Sequence, residues 1–286
     1  MKILVCFEGR VRPDSTGFYF LWAFNQLGHE VTHVTPDKIM DVKPGSHDFY
    51  FRCDDGLKEQ GWNPELHPSH YAVIDTHIET DWRLKLAEDG KFDTISVVHS
   101  QGLNLPWGRE IGKDLFWIPV GCDPIIHNVG KREKKYDGCA VMNFHNGLAG
   151  PRVDMLDAFF KACGNFFFGN RTFKEVSEKY AESKLVFNRS INGDANMRVW
   201  EAMCSGSCLV TDRVEDLDKL CAIDGVHYAG YSNQEELTNV VKDLLANDEK
   251  RETIAENGYK FALLNTYKVR LENLLGALNL KELVTT

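Results

Sequence analysis

Arg198 and Glu201 stand three residues apart just after a polar loop, and that spacing carries the most specific chemistry in the chain. Residues 185–188 are a short apolar run that reads as a strand, and 189–195 are a loop containing glycine. Asp194 or Asn196 can cap a helix whose apolar stripe is Met197, Trp200, Met203 and Cys204. Gly206 stops that helix, and 208–211 returns as a buried strand. The first N–H groups of a helix lack intrahelical acceptors, so its start can hold an anion such as a diphosphate. Arg198, in the first turn, can add charge-assisted bonds to phosphate. The Glu201 carboxylate, about one turn deeper, can accept both hydroxyls of a ribose. Phosphate ligand followed by diol acceptor suggests a nucleotide-sugar site. The competing reading of the same spacing is an ion pair on a solvated helix face.

The elements that must position these groups alternate along the whole chain. In the first half, strands are expected at 3–7, 31–34, 48–52, 71–74, 94–99 and 115–118, with helices at 17–27 and 78–88. The aromatics of the first helix (Phe18, Tyr19, Phe20, Trp22, Phe24) read more readily as core than as a ligand platform. A Pro/Gly-rich break at 119–124 and a charged run at 128–136 mark a linker. The second half restarts with strands at 138–142, 165–168, 185–188, 208–211 and 226–229. Helices are expected at 151–163, 172–181, from a Ser232–Glu235 capping box to about 246, at 248–264 capped by Asp248 with a bend at Gly258, and at 266–278. The expectation is an α/β protein of two Rossmann-like domains with mainly parallel sheets facing a cleft, 1–125 and 126–286, the last helix packing back on the first domain.

The chain has 286 residues, 43% of them hydrophobic and 26% charged, as in an ordinary soluble protein. Its net charge of −9 disfavours a uniformly basic nucleic-acid binder. No apolar run approaches the ~18 residues of a membrane span, and the first residues read as a strand rather than a signal peptide. Eight scattered cysteines without a Cys-x-x-Cys pair suit a reducing, cytoplasmic setting. No P-loop pattern is present, and no Gly-x-Gly-x-x-Gly follows the first strand.

Several segments together resemble the CgeB-like (spore-maturation-protein-like) glycosyltransferases. They are Asp54-Asp55-Gly56, Ile74-Asp75-Thr76-His77, Phe92-Asp93 and the 117–123 segment in the first half. In the second half they are Pro151-Arg152, the 196–206 segment, the 209–212 segment and the 266–270 segment. The resemblance implies the GT-B fold of two Rossmann-like domains. It implies an NDP-sugar donor, UDP-sugar favoured, held by the second domain, and a hydroxyl acceptor held mainly by the first. Glu201 then matches the glutamate at the ribose, Asn196 and Arg198 the segment beside the diphosphate, and Arg152 a second phosphate ligand. Asn188 and Asp194 complete the donor-binding set. Such enzymes resemble one another in needing no bound metal and no cofactor, because helix dipole and basic side chains neutralise the leaving diphosphate. The pattern departs at Gly193, where many retaining members carry a glutamate.

Sugar transfer needs a group that deprotonates or orients the acceptor hydroxyl. Asp75 and His77 end a first-domain strand and, two positions apart, share a face. The plainer role for Asp75 is to cap the next helix. Glu8, after the first strand, is a further catalytic candidate, and Arg10 and Arg12 can contact an anionic donor or acceptor. His67, His70 and His77 invite a metal reading, but lack helical spacing and carboxylate partners, so no metal site is expected. Val98 stands where a serine-hydrolase elbow needs glycine. The alternatives to a glycosyltransferase are an NDP-sugar epimerase of the same fold and a non-catalytic nucleotide-sugar or glycan-binding protein. A saccharide, a metabolite, a protein or a hydroxylated base in DNA remain open as acceptor.

Overall fold

Strands of a parallel sheet covered on both faces are near-continuous apolar runs, and such runs recur in the sequence in two separate blocks. The computed structural model describes residues 1–10, 15–54, 56, 61–76, 80–104, 114–142 and 150–280. Its chain forms two units, one of Met1–Pro119 with the C-terminal segment from Tyr267, the other of Val120–Thr266.

The first unit contains β1 (Lys2–Cys6), α1 (Thr16–Gln26), β2 (Glu30–Val34), β3 (Phe49–Cys53), β4 (Ser69–Val73), α2 (Thr80–Asp89), β5 (Thr94–Val97) and β6 (Asp114–Trp117). They form one all-parallel sheet in the order β2-β1-β3-β4-β5-β6. Every residue of β3 and β4 is buried, whereas the edge strand β2 is largely exposed. One core cluster joins Leu4, Tyr50, Tyr71, Trp62, Phe92 and Ile95. On α1, Tyr19, Phe20, Ala23 and Phe24 are buried.

The second unit contains α3 (Pro124–His127), β7 (Tyr136–Val141), α4 (Gly150–Ala162), β8 (Phe166–Gly169), α5 (Phe173–Ala181), β9 (Ser183–Phe187), α6 (Met197–Cys204), β10 (Cys208–Asp212), α7 (Glu215–Lys219), β11 (Ala229–Tyr231), α8 (Gln234–Ala246) and α9 (Asp248–Leu263). Its sheet is also parallel throughout, in the order β11-β10-β9-β7-β8. The final helix, α10 (Tyr267–Ala277), belongs to the first unit, where Tyr267 stacks on Tyr19 at 4.9 Å and 7°. The α/β class and the parallel sheets expected from the sequence are therefore observed.

Local details differ from the sequence reading for identifiable reasons. The strand expected at 226–229 is instead β11, because Gly225 adopts φ 77° and the Asp224 carboxylate accepts the Gly230 N–H at 2.6 Å, closing a turn over 224–230. The capping box lies one residue later. Asn233 caps α8 by accepting the Glu236 N–H, and the Glu236 carboxylate accepts the Ser232 N–H. Asn247, not Asp248, caps α9. The helix runs unbroken through Gly258. A Cβ there would lie 2.5 Å from the His227 carbonyl oxygen, so the glycine permits close approach. Short helices such as α3 and α7 are too brief to show periodicity.

The histidines of the weak metal reading have other duties. The His70 side chain is fully buried, with its ring nitrogens at 2.8 Å from the Thr94 and Ser96 hydroxyls, and burial pushes its pKa down to about 3. His67 pairs with Asp93 at 2.8 Å. His77 lies outside the described residues. Among the described residues, no group of three or more His, Cys, Asp or Glu is arranged to hold a metal ion. No described helix is long and apolar enough to cross a membrane.

Gly17 gives a sharp test of this packing. Alanine normally favours a helix over glycine, but a Cβ at Gly17 would lie 2.1 Å from the Phe7 ring. Gly17→Ala is expected to destabilise the protein by about 1–3 kcal/mol, the usual cost of overpacking. Gly61→Ala, in open space, is the control and is expected to be near neutral. Thermal or urea unfolding of the two variants checks this, and an unchanged Gly17→Ala midpoint would refute the packing.

Candidate functional site

In open parallel sheets, ligands bind beyond the carboxyl ends of the strands, where the strand order reverses. In the second unit that point lies between β7 and β9, which pair with each other although β8 intervenes in sequence. Arg198 bridges it. Its Nε donates to the Val141 carbonyl at the end of β7 at 2.9 Å, and its Nη1 donates to Asn188 Oδ1 just after β9 at 2.8 Å. Asn188 is fully buried, and its Nδ2 donates to Thr211 Oγ1 at 2.9 Å. The Tyr231 hydroxyl donates to the Asn188 carbonyl at 2.7 Å. Arg198 is thus held by groups at the ends of β7 and β9, and its partner Asn188 is held in turn by residues of β10 and β11.

Asn196 is the cap of α6, its side chain accepting the Arg198 N–H at 3.2 Å. Gly206, at φ 75°, follows the helix in the left-handed conformation that a C-terminal stop requires. Asp194 has a different part. The Ser190 hydroxyl donates to its Oδ1 at 2.6 Å and accepts the Asp194 N–H at 2.8 Å. The Ser190 N–H in turn donates to Asp212 Oδ1 at 2.8 Å. These bonds give the loop before α6 one defined path. Burial raises the Asp212 pKa above the ordinary carboxylate value.

Arg152 and Arg189 add positive charge here. Arg152 Nη2 donates to the Arg189 carbonyl at 2.9 Å, while its buried Nε has no hydrogen-bond partner among the described residues. Burial first, and then the charge of Arg198, pushes the Arg152 pKa down to about 10. Two guanidiniums that repel each other beside an α-helix N-terminus, one with an orphaned donor, form a place where an anion relieves an existing cost. The negative groups nearby are Asp194 and Asp212, with Asp212 4.0 Å from Arg189.

Glu201 is mostly buried, with 13% of its side chain exposed, and its Oε1 lies 4.0 Å from His127 Nε2. His127 was not among the sequence candidates. Its Nδ1 accepts the Asp123 N–H at 3.0 Å, so the neutral ring carries its proton on Nε2, toward Glu201. Burial pushes its pKa down to about 3. Asp123-Pro124 was the available signal, since an acidic cap followed by proline opens a helix. Asp123 Oδ1 does accept the Ile125 N–H at 3.0 Å.

The first-unit candidates fall into two separate sets. Glu8 is bound in two-point fashion by Arg10, with Nε–Oε1 at 2.8 Å and Nη2–Oε2 at 2.5 Å, and Arg10 also reaches Asp37 at 3.1 Å. The hydrogen bond from Arg10 holds the Glu8 carboxyl below its ordinary pKa, which weakens it as a base. Asp75 belongs to the other set and is 39% exposed, with Oδ2 3.9 Å from Arg83 Nη2. Its backbone N–H and that of Ile74 both donate to Asp54 Oδ2 at 3.2 Å. The buried Arg83 donates to the same oxygen at 2.5 Å, and Asp54 Oδ1 accepts the Gly56 N–H at 3.0 Å. This buried pair fixes the segment carrying Asp75. Arg12 and His77 lie outside the described residues.

Residues 149–276, which include Arg152, Asn188, Asp194, Asn196, Arg198 and Glu201, match a family model described as glycosyl transferase-like. No curated protein sequence matches the chain significantly. Among solved structures, a variant of S. aureus TarM bound to UDP, fondaparinux and α-GlcNAc-glycerol is similar over 79% of this chain at TM-score 0.57 and 13% identity. This chain covers only 55% of that protein. T4 phage BGT with its UDP-glucose substrate is similar over 100% of both chains at TM-score 0.62 and 14% identity. Anabaena HepE with UDP and glucose is similar over 98% of this chain and 99% of its own, at TM-score 0.66 and 13% identity. The fold is that of the GT-B glycosyltransferases.

The buried imidazole beside Glu201 has a measurable consequence. His127 titrates near 3 in the folded protein against an ordinary value of 6.5. Between those values the unfolded chain takes up a proton that the folded chain refuses. Stability is therefore lost as pH falls below 6.5, by about 1.4 kcal/mol per unit for this group. His127→Gln is expected to remove that contribution, so that the loss between pH 7.5 and pH 5 is about 2 kcal/mol smaller than in wild type. Urea unfolding at the two pH values reads it. An equal loss in both proteins would mean that His127 protonates freely in the native state.

Proposed function

We propose that this protein is a glycosyltransferase that moves a sugar from an NDP-sugar, UDP-sugar favoured, to an acceptor hydroxyl without a bound metal or cofactor. The observation that carries the reading is the Arg198 bridge at the β7/β9 reversal, with Arg152 beside it and Glu201 one turn along α6. Positive charge at the helix start suits a diphosphate, and a carboxylate one turn deeper suits the paired hydroxyls of a ribose. The match of residues 149–276 to a glycosyl transferase-like model supports this, as do the UDP complexes of TarM, BGT and HepE.

In this reading Arg152, Asn188, Asp194, Asn196, Arg198 and Glu201 form the donor site of the second unit. Asn188 and Asn196 act by holding Arg198 and α6, and Asp194 by shaping the loop. Arg198 and Arg152 offset the charge that develops on the leaving diphosphate. The first unit holds the acceptor. Asp75 orients or deprotonates its hydroxyl, with His77 as its neighbour in sequence and the Asp54–Arg83 pair holding the segment. Glu8, held ionised by Arg10, serves better as a hydrogen-bond acceptor than as the base. All eight cysteines are unpaired, which fits a cytoplasmic setting.

Calorimetric titration with UDP, GDP, TDP, ADP and CMP tests the donor site. UDP is expected to bind saturably, and Glu201→Ala to weaken it by at least tenfold, as for loss of a charged hydrogen-bonding group. Asp75→Asn is expected to leave UDP affinity intact while lowering transfer by about 10²–10⁴-fold, the usual share of a general base. Unchanged affinity in the Glu201 variant would overturn the assignment.

A further inference from the structure

The apolar stripe of α1 is divided between two environments. Tyr19, Phe20 and Phe24 are 2%, 1% and 0% exposed, as a core requires. Phe18 and Trp22, one helical turn apart, are only half-buried and stack on each other at 5.6 Å and 25°. His33, exposed near the end of β2, stacks on Phe7 at 4.1 Å and 28°. Phe7 in turn meets Phe18 edge-on at 4.9 Å. The result is a run of aromatic rings at the carboxyl end of β1 and β2, where sheets of this kind bind ligands.

A polar border lies against the same strand ends. Glu8 and Arg10 follow β1, and Asp37 follows β2, the three joined through the Arg10 guanidinium. Arg10 is 61% and Asp37 52% exposed. Among the described residues, two carboxylates against one guanidinium leave this border with one net negative charge. His33 Nε2 lies 2.9 Å from the Phe7 carbonyl, which can only accept, so in the neutral ring Nδ1 is the remaining acceptor.

We propose that Phe18, Trp22 and His33, bordered by Glu8, Arg10 and Asp37, form a shelf that binds a saccharide as the acceptor. The C–H faces of a pyranose carry slight positive charge and suit the negative faces of aromatic rings. Its hydroxyls suit ionised carboxylates, which accept strong hydrogen bonds. A nucleic acid could stack its bases on the rings, but among the described residues the border is net negative, which repels phosphate, and its arginine, Arg10, is already doubly engaged. The same argument selects a neutral polyol over a phosphorylated metabolite. This inference deepens the glycosyltransferase reading and rests on it for the word acceptor; the shelf itself does not.

The test is calorimetry in the presence of saturating UDP. The probes are the methyl glycosides of glucose, galactose, mannose and N-acetylglucosamine, with maltose, cellobiose and a 5-hydroxymethylcytosine oligonucleotide. At least one saccharide is expected to bind saturably. Trp22→Leu is expected to weaken it at least fivefold and His33→Ala at least threefold, with UDP affinity unchanged in both. His33 is exposed, so its variant answers the question even if Trp22→Leu folds poorly. Absence of saturable binding by every saccharide, equal affinity in wild type and both variants, or oligonucleotide binding that depends on Trp22 would each overturn the proposal. If UDP fails to bind while a saccharide binds through Trp22, the donor reading falls and the shelf stands.

Discussion

A single guanidinium joins the two strands between which the second sheet reverses its order. Arg198 takes its acceptors from the end of β7 and from the residue after β9, while its own N–H is held by the helix cap. Each partner is itself committed. Asn188 spends its amide on Thr211 and its carbonyl on Tyr231, so strand ends, helix start and the loop between them share one hydrogen-bond network. Such a network is costly when half satisfied, because a buried polar group without its partner keeps the full desolvation penalty. Arg198 therefore organises the site before any ligand arrives, and a preorganised donor loses little freedom on binding. The neighbouring Arg152 keeps a buried Nε without a partner among the described residues, so the network there is complete around Arg198 and open beside it.

The first unit uses the same physics with the opposite emphasis. Asp54 and Arg83 are nearly inaccessible to solvent, and desolvating such a pair is seldom repaid by their attraction alone. Here Asp54 also accepts three backbone N–H groups, which offsets part of that cost and ties two strand ends together. What the arrangement secures is the position of Asp75, whose backbone is bonded to Asp54 and whose carboxylate faces Arg83. A half-exposed carboxylate on a segment fixed from below is a suitable place to hold a hydroxyl, because only the ligand need be ordered.

Much of this was legible from the residues, and the rest was not for definite reasons. Alternating apolar runs announced two parallel sheets, since strands buried on both faces are mostly apolar, and exceptions such as His70 with Thr94 and Ser96 satisfy one another by hydrogen bonds. The polar loop, cap and stripe before Gly206 announced α6 and its Arg198–Glu201 spacing. His127 escaped because it sits on a helix of four residues, too short for a period, and meets Glu201 across 74 positions of sequence. Asp54 and Arg83 escaped similarly, 29 positions apart, because pairing of that range is a property of topology and not of spacing. The capping box moved by one residue because Asn233 competed with Ser232 for the same duty, and both are good caps. Glu8 read as a catalytic candidate, since nothing in Glu8-Gly9-Arg10 foretells that the arginine folds back on it at two points.

The two sheets share the order of their first five strands, and the charges at their carboxyl ends differ. In both units the first strand lies between the second and third, so each creates its reversal in the same place. Around the reversal in the second unit stand Arg152, Arg189 and Arg198, with Asp194 and Asp212 in partial compensation. At the strand ends of the first unit, among the described residues, stand Glu8, Asp37, Asp54 and Asp75, against Arg10, Arg83 and the buried Arg52, whose guanidinium donates to the Cys6 and Cys53 carbonyls. One architecture thus presents a positive end that suits a diphosphate and a negative end, lined with aromatic rings, that suits a neutral polyol. Topology supplies the two ledges, whereas the residues in the first loops after the strands decide which ligand each can hold. A fold shared at 13% identity therefore says little about which ligand these loops hold, and the proposed saccharide shelf rests on Phe18, Trp22 and His33 rather than on the sheet.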